Sequence, residues 1–290
     1  MTTIATTGGG ARRRPATPDR APGALRTGLA GVGFELRGYF RVPDGVFFTF
    51  LFPVILLAIF ATAFDSMGEV GALPDGTGGV RMAGYYLPGM IAAALLLSGV
   101  QNLATDIARE KYEGWLRRLG GTPLSPVGFF IGKAGLVLVT SLLQVALLIA
   151  VARFAFGVEL PTDPALWGRF AWLFLLGIAT MSLLGVALSA VPRSSRSAIA
   201  VVLPPVLILQ FVSGVYLQFD MLPAWLQNVA SVFPLKWLAE GMRSVFLPEH
   251  FAALEPAGEW DLGLIALVLG AWLVVGLVLS LLTFRWQRRT

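Results

Sequence analysis

The sequence predicts an all-helical integral membrane protein with six transmembrane helices, and two observations carry that reading. Of its 290 residues 56% are apolar and only 13% charged, with a mean hydropathy of +0.74, too hydrophobic for a single soluble core. The apolar residues also gather into runs of about 20, the length that roughly 30 Å of hydrocarbon demands at about 1.5 Å of rise per helical residue.

Taken in order, residues 1–24 are rich in Gly, Thr, Arg and Pro and read as a disordered cytoplasmic tail with no cleavable signal peptide. From Leu25 to Phe40 apolar residues alternate loosely with Arg26, Glu35, Arg37 and Tyr39. That pattern fits a helix lying along the inner leaflet, with a plain linker as the alternative. The spans follow at Val46 to Phe64, Tyr85 to Thr105, Gly132 to Val151, Gly168 to Val191, Ala198 to Leu217 and Leu262 to Phe284. Pro204-Pro205 should kink the fifth, because proline removes a helical donor and crowds the preceding turn. Between the last two spans, Leu222, Trp225, Leu226 and Val229, then Leu238, Met242 and Val245, recur at helical spacing around Pro234. These predict two short amphipathic helices at the outer surface, too short and too charged to cross.

Charge sets the orientation. With the N-terminus inside, 17 of the 22 basic residues lie on the cytoplasmic side, and only Arg81, Arg153, Arg169, Lys236 and Arg243 fall outside. The positive-inside rule therefore places both termini in the cytoplasm, and the preference for arginine over lysine points to a bacterial inner membrane. The arginines sit at the ends of apolar runs rather than along one stripe, so the net charge of +5 implies no nucleic-acid partner.

The chemistry is sparse. With no cysteine and one histidine, His250, the chain offers no disulfide framework, thiolate site or zinc set. No ionisable residue stands near mid-span, which argues against ion-coupled transport. Lys133, Arg153 and Arg169 fall at span ends, where snorkelling to the headgroups explains them. Gly132-Lys133 lacks the upstream glycine of a phosphate loop, and neither G-x-S-x-G nor a carboxylate pair on one embedded helix occurs, so no catalytic residue is assigned. Gln101, Asn102, Gln144, Gln210 and Ser213 are candidates for a translocation path, and hydrogen bonding between helices accounts for them equally well, as it does for Thr140 and Ser141.

The loop after the second span is the most informative. Asp106 to Leu119 holds strong helix formers, with Glu113 and Arg117 at i,i+4, and Gly120-Gly121 followed by Pro123 ends it. A short cytoplasmic helix presenting Tyr112, Trp115, Leu116 and Leu119 would suit docking, and a solvated hairpin is the alternative.

Glu113-Gly114, Leu119, Thr122-Pro123-Leu124-Ser125 and Gly132-Lys133 together resemble the E-x-G-x-x-x-x-L-x-x-T-P-L pattern of type-2 ATP-binding-cassette (ABC) exporter permeases, although Glu113 directly precedes Gly114. Tyr86-Leu87-Pro88-Gly89 resembles the family's Y-L-x-P-G pattern, without its spacer. Leu222-Pro223-x-Trp225-Leu226, Phe233-Pro234-Leu235 and Glu240-Gly241-Met242-Arg243 resemble its outer re-entrant helices, so the likeness covers residues 25–290 as one six-span domain.

The resemblance implies a permease that homodimerises, sits in membrane lipid and binds two copies of a separate ATPase subunit, through which ATP and Mg enter. Glu113, Gly114, Trp115, Leu116, Leu119, Thr122 and Pro123 would form the ATPase-coupling region, and the first helix the family's interfacial elbow. Substrates of the resembled family are drugs, lipids or glycan-type amphiphiles. Rival readings are a secondary transporter, a non-transporting scaffold or accessory subunit, and a lipid-acting membrane enzyme.

Overall fold

The computed structural model describes residues 23–64, 66, 68–119 and 125–284. Among these residues six helices are long and apolar enough to cross a membrane, and the only extended pairing is an isolated bridge between Val70 and Val80. In chain order the helices are α1 (Ala24–Phe40), α2 (Pro43–Ala63), α3 (Met82–Leu96), α4 (Leu103–Tyr112), α5 (Trp115–Leu119), α6 (Pro126–Phe156), α7 (Pro164–Leu188), α8 (Ser195–Val212), α9 (Ala224–Ala230), α10 (Pro234–Phe246) and α11 (Leu262–Thr283). A wider π segment, Leu97–Asn102, joins α3 to α4, so Met82–Tyr112 is one continuous span.

Local sequence explains where these helices begin. Ser125 before Pro126 accepts from Gly128 N, Asp163 before Pro164 accepts from Ala165 N, and Asp261 accepts from Leu264 N, each side chain satisfying a donor the helix cannot. Ser194 and Ser197 close a reciprocal capping box on α8. Gly157 ends α6 at φ +67, a left-handed conformation that a glycine adopts without penalty.

Residues 82–100 are almost wholly buried and residues 101–112 only in part, whereas α2, α8 and α11 have few buried residues. This central span is ringed by α2, α6, α7 and α10. Small residues let the helices close on one another without a hydrophobic driving force in lipid. A Cβ on Gly185 of α7 would strike the backbone of Gly99 in the π segment, and one on Gly276 of α11 would meet Leu183 Cβ at 3.0 Å. Along α1 and α6, Gly31 and Gly132 face each other, and a Cβ on Gly28 would lie 2.7 Å from Ile131 Cβ.

The alternating spans give the bundle two ends. At the α5 end, Tyr112 Oη donates to Pro192 O at 2.6 Å across two loops. At the α10 end, His250 Nε2 lies 2.9 Å from Gly71 O, joining the loop after α2 to that before α11.

Several expectations are corrected. The second and third spans run further, to Tyr112 and from Pro126 to Phe156, and the fourth and fifth stop earlier, at Leu188 and Val212. Of the two expected surface helices, α9 is mostly exposed, but α10 is almost wholly buried among α3, α7 and α11. Its apolar face packs on those helices, and Lys236, Glu240 and Arg243 stay inside because each finds an opposite charge. α1 lies against α6 with Leu25, Leu29, Phe34 and Phe40 exposed. The predicted N-terminal tail through residue 22 lies outside the described residues.

Candidate functional site

The central span ends at the site. Glu113 closes α4 as its C-cap, and Gly114 follows at φ +80, which turns the chain into α5 and explains why glycine stands there. The turn also separates Glu113 from Arg117, so the expected i,i+4 pair does not share one helix. Trp115 is 45% exposed, but Leu116 is only 2% exposed, so Leu116 anchors α5 instead of facing outward with the aromatic residues. Tyr112 keeps its ring partly exposed while its hydroxyl reaches Pro192 O, tying this loop to the one that leads into α8. Thr122 and Pro123, with Gly120 and Gly121, lie outside the described residues.

Beside this turn Lys133 does not snorkel. Its side chain is 2% exposed, and Nζ donates to Glu35 Oε2 of α1 at 2.8 Å and to Glu110 Oε1 of α4 at 2.5 Å. A lysine this buried near a span end is tolerated only with such partners, and in sequence they lie 98 and 23 residues away. The three charges bind α1, α4 and α6 at one point. They border a cavity of about 380 Å³ whose wall includes Tyr39, Asp106, Arg109, Glu113 and Trp115. Burial pushes the Tyr39 hydroxyl above its ordinary range, with Asp106 adding to the effect.

The path candidates do not form one group: Gln144 and Asn102 meet on Thr49, while Gln210 and Ser213 lie at the opposite end. Gln144 of α6, fully buried, donates to Thr49 O of α2 at 2.6 Å and accepts from Ser98 Oγ at 3.0 Å. Asn102 Nδ2 donates to Thr49 Oγ1 at 3.3 Å, so both amides fasten α2 to its neighbours. Gln101 is half-buried with Oε1 unpartnered. Gln210 and Ser213 sit at the opposite end, on and just beyond α8, where Gln210 Oε1 accepts from Tyr216 Oη at 2.6 Å. Burial pushes that phenol up to about 12, so it stays a donor. Thr140 turns back on its own helix to Leu136 O, and Ser141 Oγ is buried without a partner. Hydrogen bonding between helices thus explains Gln144 and Asn102.

Sequence reasoning missed the charged cluster around α10. Lys236 pairs with Glu240 and stands over the Trp237 ring, while Arg243 Nε donates to Glu255 Oε1 at 2.6 Å. Burial raises the Glu240 carboxyl above its ordinary value, with Glu255 adding to the rise. The i,i+4 spacing of Lys236 and Glu240 was the available signal.

A family model described as "ABC-2 family transporter protein" matches residues 72–284. The protein named transport permease ycf38 in Cyanophora paradoxa is 28% identical over 203 residues, 69% of this chain and 68% of its own. "Probable multidrug ABC transporter permease YbhR" of Escherichia coli K12 is 22% identical over 187 residues, 64% of this chain and 50% of its own, so the match spans half of that relative. "Daunorubicin resistance ABC transporter permease protein DrrB1" of Streptomyces coeruleorubidus is 27% identical over 244 residues, 82% of this chain and 77% of its own.

Proposed function

Since the chain belongs to the ABC-2 transporter family, we propose that it is the membrane permease of an exporter that moves an amphiphilic substrate, with ATP hydrolysed by a separate ATPase subunit. The carrying observation is the mostly buried helix Met82–Tyr112, which runs from one end of the bundle to the Glu113-Gly114 turn and the short α5. A loop that only closed a hairpin would not need a turn fastened through Tyr112 to the segment before α8 and bordered by the Lys133 cluster. Drug resistance in the name of DrrB1 and multidrug transport in that of YbhR favour a drug-like or lipid-like substrate.

In this reading the α5 end faces the cytoplasm, as do both termini, and α1 lies as an elbow along the inner leaflet. Two copies of the chain pair in the bacterial inner membrane, each with one ATPase, and the exposed apolar residues of α2 and α8 are available for that pairing. Closure of the ATPases pushes the segment Glu113–Leu119, α4 carries the push along the central span, and the Tyr112–Pro192 bond passes it to α8. This chain's part is mechanical; ATP and Mg belong to the partner.

The test is affinity purification of the tagged chain from native membranes, with and without joint replacement of Glu113 and Gly114. Recovery of a phosphate-loop ATPase with wild type, and its loss in the variant, is the expected result. A variant that keeps both ATPase association and export removes the docking role. If wild type brings down no ATPase, the scaffold and ion-coupled readings take its place.

A further inference from the structure

At the α10 end one side chain joins segments that chain connectivity leaves apart. Arg243 is 7% exposed; its Nε donates to Glu255 Oε1 at 2.6 Å, and its Nη1 donates to Gly214 O at 3.2 Å. Gly214 begins the turn beyond α8, and Glu255 lies in the segment that leads to α11. Gly214 has φ +74, and a Cβ there would press to 3.0 Å from Phe219 Cβ, so the turn is built for this close approach.

The end of α8 needs such a fastening. Its buried residues are Ala198, Val202, Val206 and Gln210, a single stripe at four-residue spacing, and Pro204-Pro205 interrupts its hydrogen bonding. Its packing is mainly on α4, nearer the α5 end. On the other side, Trp272 of α11 donates from Nε1 to Val232 O at 2.7 Å, holding α11 to the approach to α10.

The pair is also enclosed. A cavity of about 10 Å³, room for about one water, is lined by Arg243, Glu255, Trp260 and Tyr85. Arg243 Nη2, Glu255 Oε2 and Trp260 Nε1 are buried there without protein partners. A charge pair so placed resists exchange with bulk water, and its forked donor cannot be replaced by a point charge.

We propose that Arg243 is a positioning residue that fastens the turn after α8 and the segment before α11 to α10, so that these three elements move as one body. What this means for transport rests on the export reading; the clamp itself does not.

The chain has no cysteine, so labels can be placed freely. Leu217→Cys and Glu259→Cys put spin labels on the two fastened arms, both at exposed positions, and Phe154→Cys with Ala165→Cys makes a control pair across α6 and α7. Distances are read by electron–electron double resonance on full-length chain in phosphatidylethanolamine–phosphatidylglycerol nanodiscs, diluted with unlabelled chain. The expected result is one narrow distance for Arg243, partial broadening for Arg243→Lys, and loss of the narrow distance for Arg243→Gln and Arg243→Met, with the control pair unchanged. A space-filling role predicts the opposite order, with Arg243→Met as narrow as wild type, and that outcome overturns the clamp. If the control pair also changes, Arg243→Met combined with Glu255→Leu leaves no charge unpaired and decides the matter: a narrow distance there overturns the proposal. No nucleotide or substrate is present, so failure of the export reading would leave these distances unaffected.

Discussion

At the α5 end one lysine, Lys133, faces two carboxylates that are each 20% exposed, beside a cavity of about 380 Å³. At the α10 end two cations meet two carboxylates, none of the four side chains more than 8% exposed, with the Arg243–Glu255 pair beside a cavity of about 10 Å³. The first cluster carries an excess negative charge and borders open space; the second is neutral and closed. An unbalanced cluster beside open space can change partners at small cost, whereas a balanced, buried one is rigid because each charge depends on its mate. The α5 end is therefore adjustable, and the α10 end is locked.

The largest effect should come from removing the single cation of the first cluster. Lys133→Met leaves Glu35 and Glu110 facing each other and should cost about 3–5 kcal/mol. It would appear as a lowered thermal midpoint in detergent, largely restored by adding Glu35→Gln and Glu110→Gln. A midpoint unchanged by Lys133→Met would break the contrast at once.

For the neutral cluster, Lys236→Met alone should cost about 3 kcal/mol, while Lys236→Met with Glu240→Leu should be nearly neutral, because the pair's attraction roughly offsets its desolvation. Equal losses in the two variants would show that the second cluster is not a self-contained pair.

A smaller effect is expected at the link out of the first cluster. Tyr112→Phe removes the bond to Pro192 O and should cost about 1 kcal/mol in stability. If α4 drives α8 through this bond, the variant should also keep ATPase association while export falls, measured on the same preparation.

The smallest is a pH drift. The Glu240 carboxyl is raised above its ordinary 4.5 by burial. A carboxyl raised in the folded state binds its proton more tightly there, so its contribution to stability is present below 4.5 and is lost as pH rises through the folded value. The thermal midpoint of wild type relative to Glu240→Gln should therefore fall as pH rises from 4.5. A difference that is flat or rising with pH would sharpen the picture toward a Lys236 pairing that outweighs burial.

The legible part of the site was local. Glu113-Gly114 could be read as a turn at the end of a helix because glycine marks the left-handed position, and Trp115 could be read as exposed beside it. The direction in which Leu116 points was not legible, since five residues of helix give too little periodicity to fix a buried face. The burial of α10 was hidden for a different reason. Its sequence is that of an amphipathic helix, and nothing in the amphipathic pattern distinguishes a charged face turned to water from one turned to a distant carboxylate such as Glu255. The polar residues Gln144 and Asn102 were visible as candidates, but their meeting on Thr49 required α2, α6 and the central span to pack together.

By itself the sequence determined that six segments cross a membrane, because apolar length against hydrocarbon thickness is a property of each segment alone. It likewise determined where α6, α7, α8 and α11 start, since a capping side chain acts within a few residues of its own position. Only the tertiary structure decided that Lys133 is buried rather than snorkelling, that α10 is inside, and that Arg243 reaches Gly214. Each of those depends on an opposite charge or a carbonyl supplied from elsewhere in the chain. A buried charge is affordable only once that partner is in place, so its position becomes knowable only when the fold brings the two together.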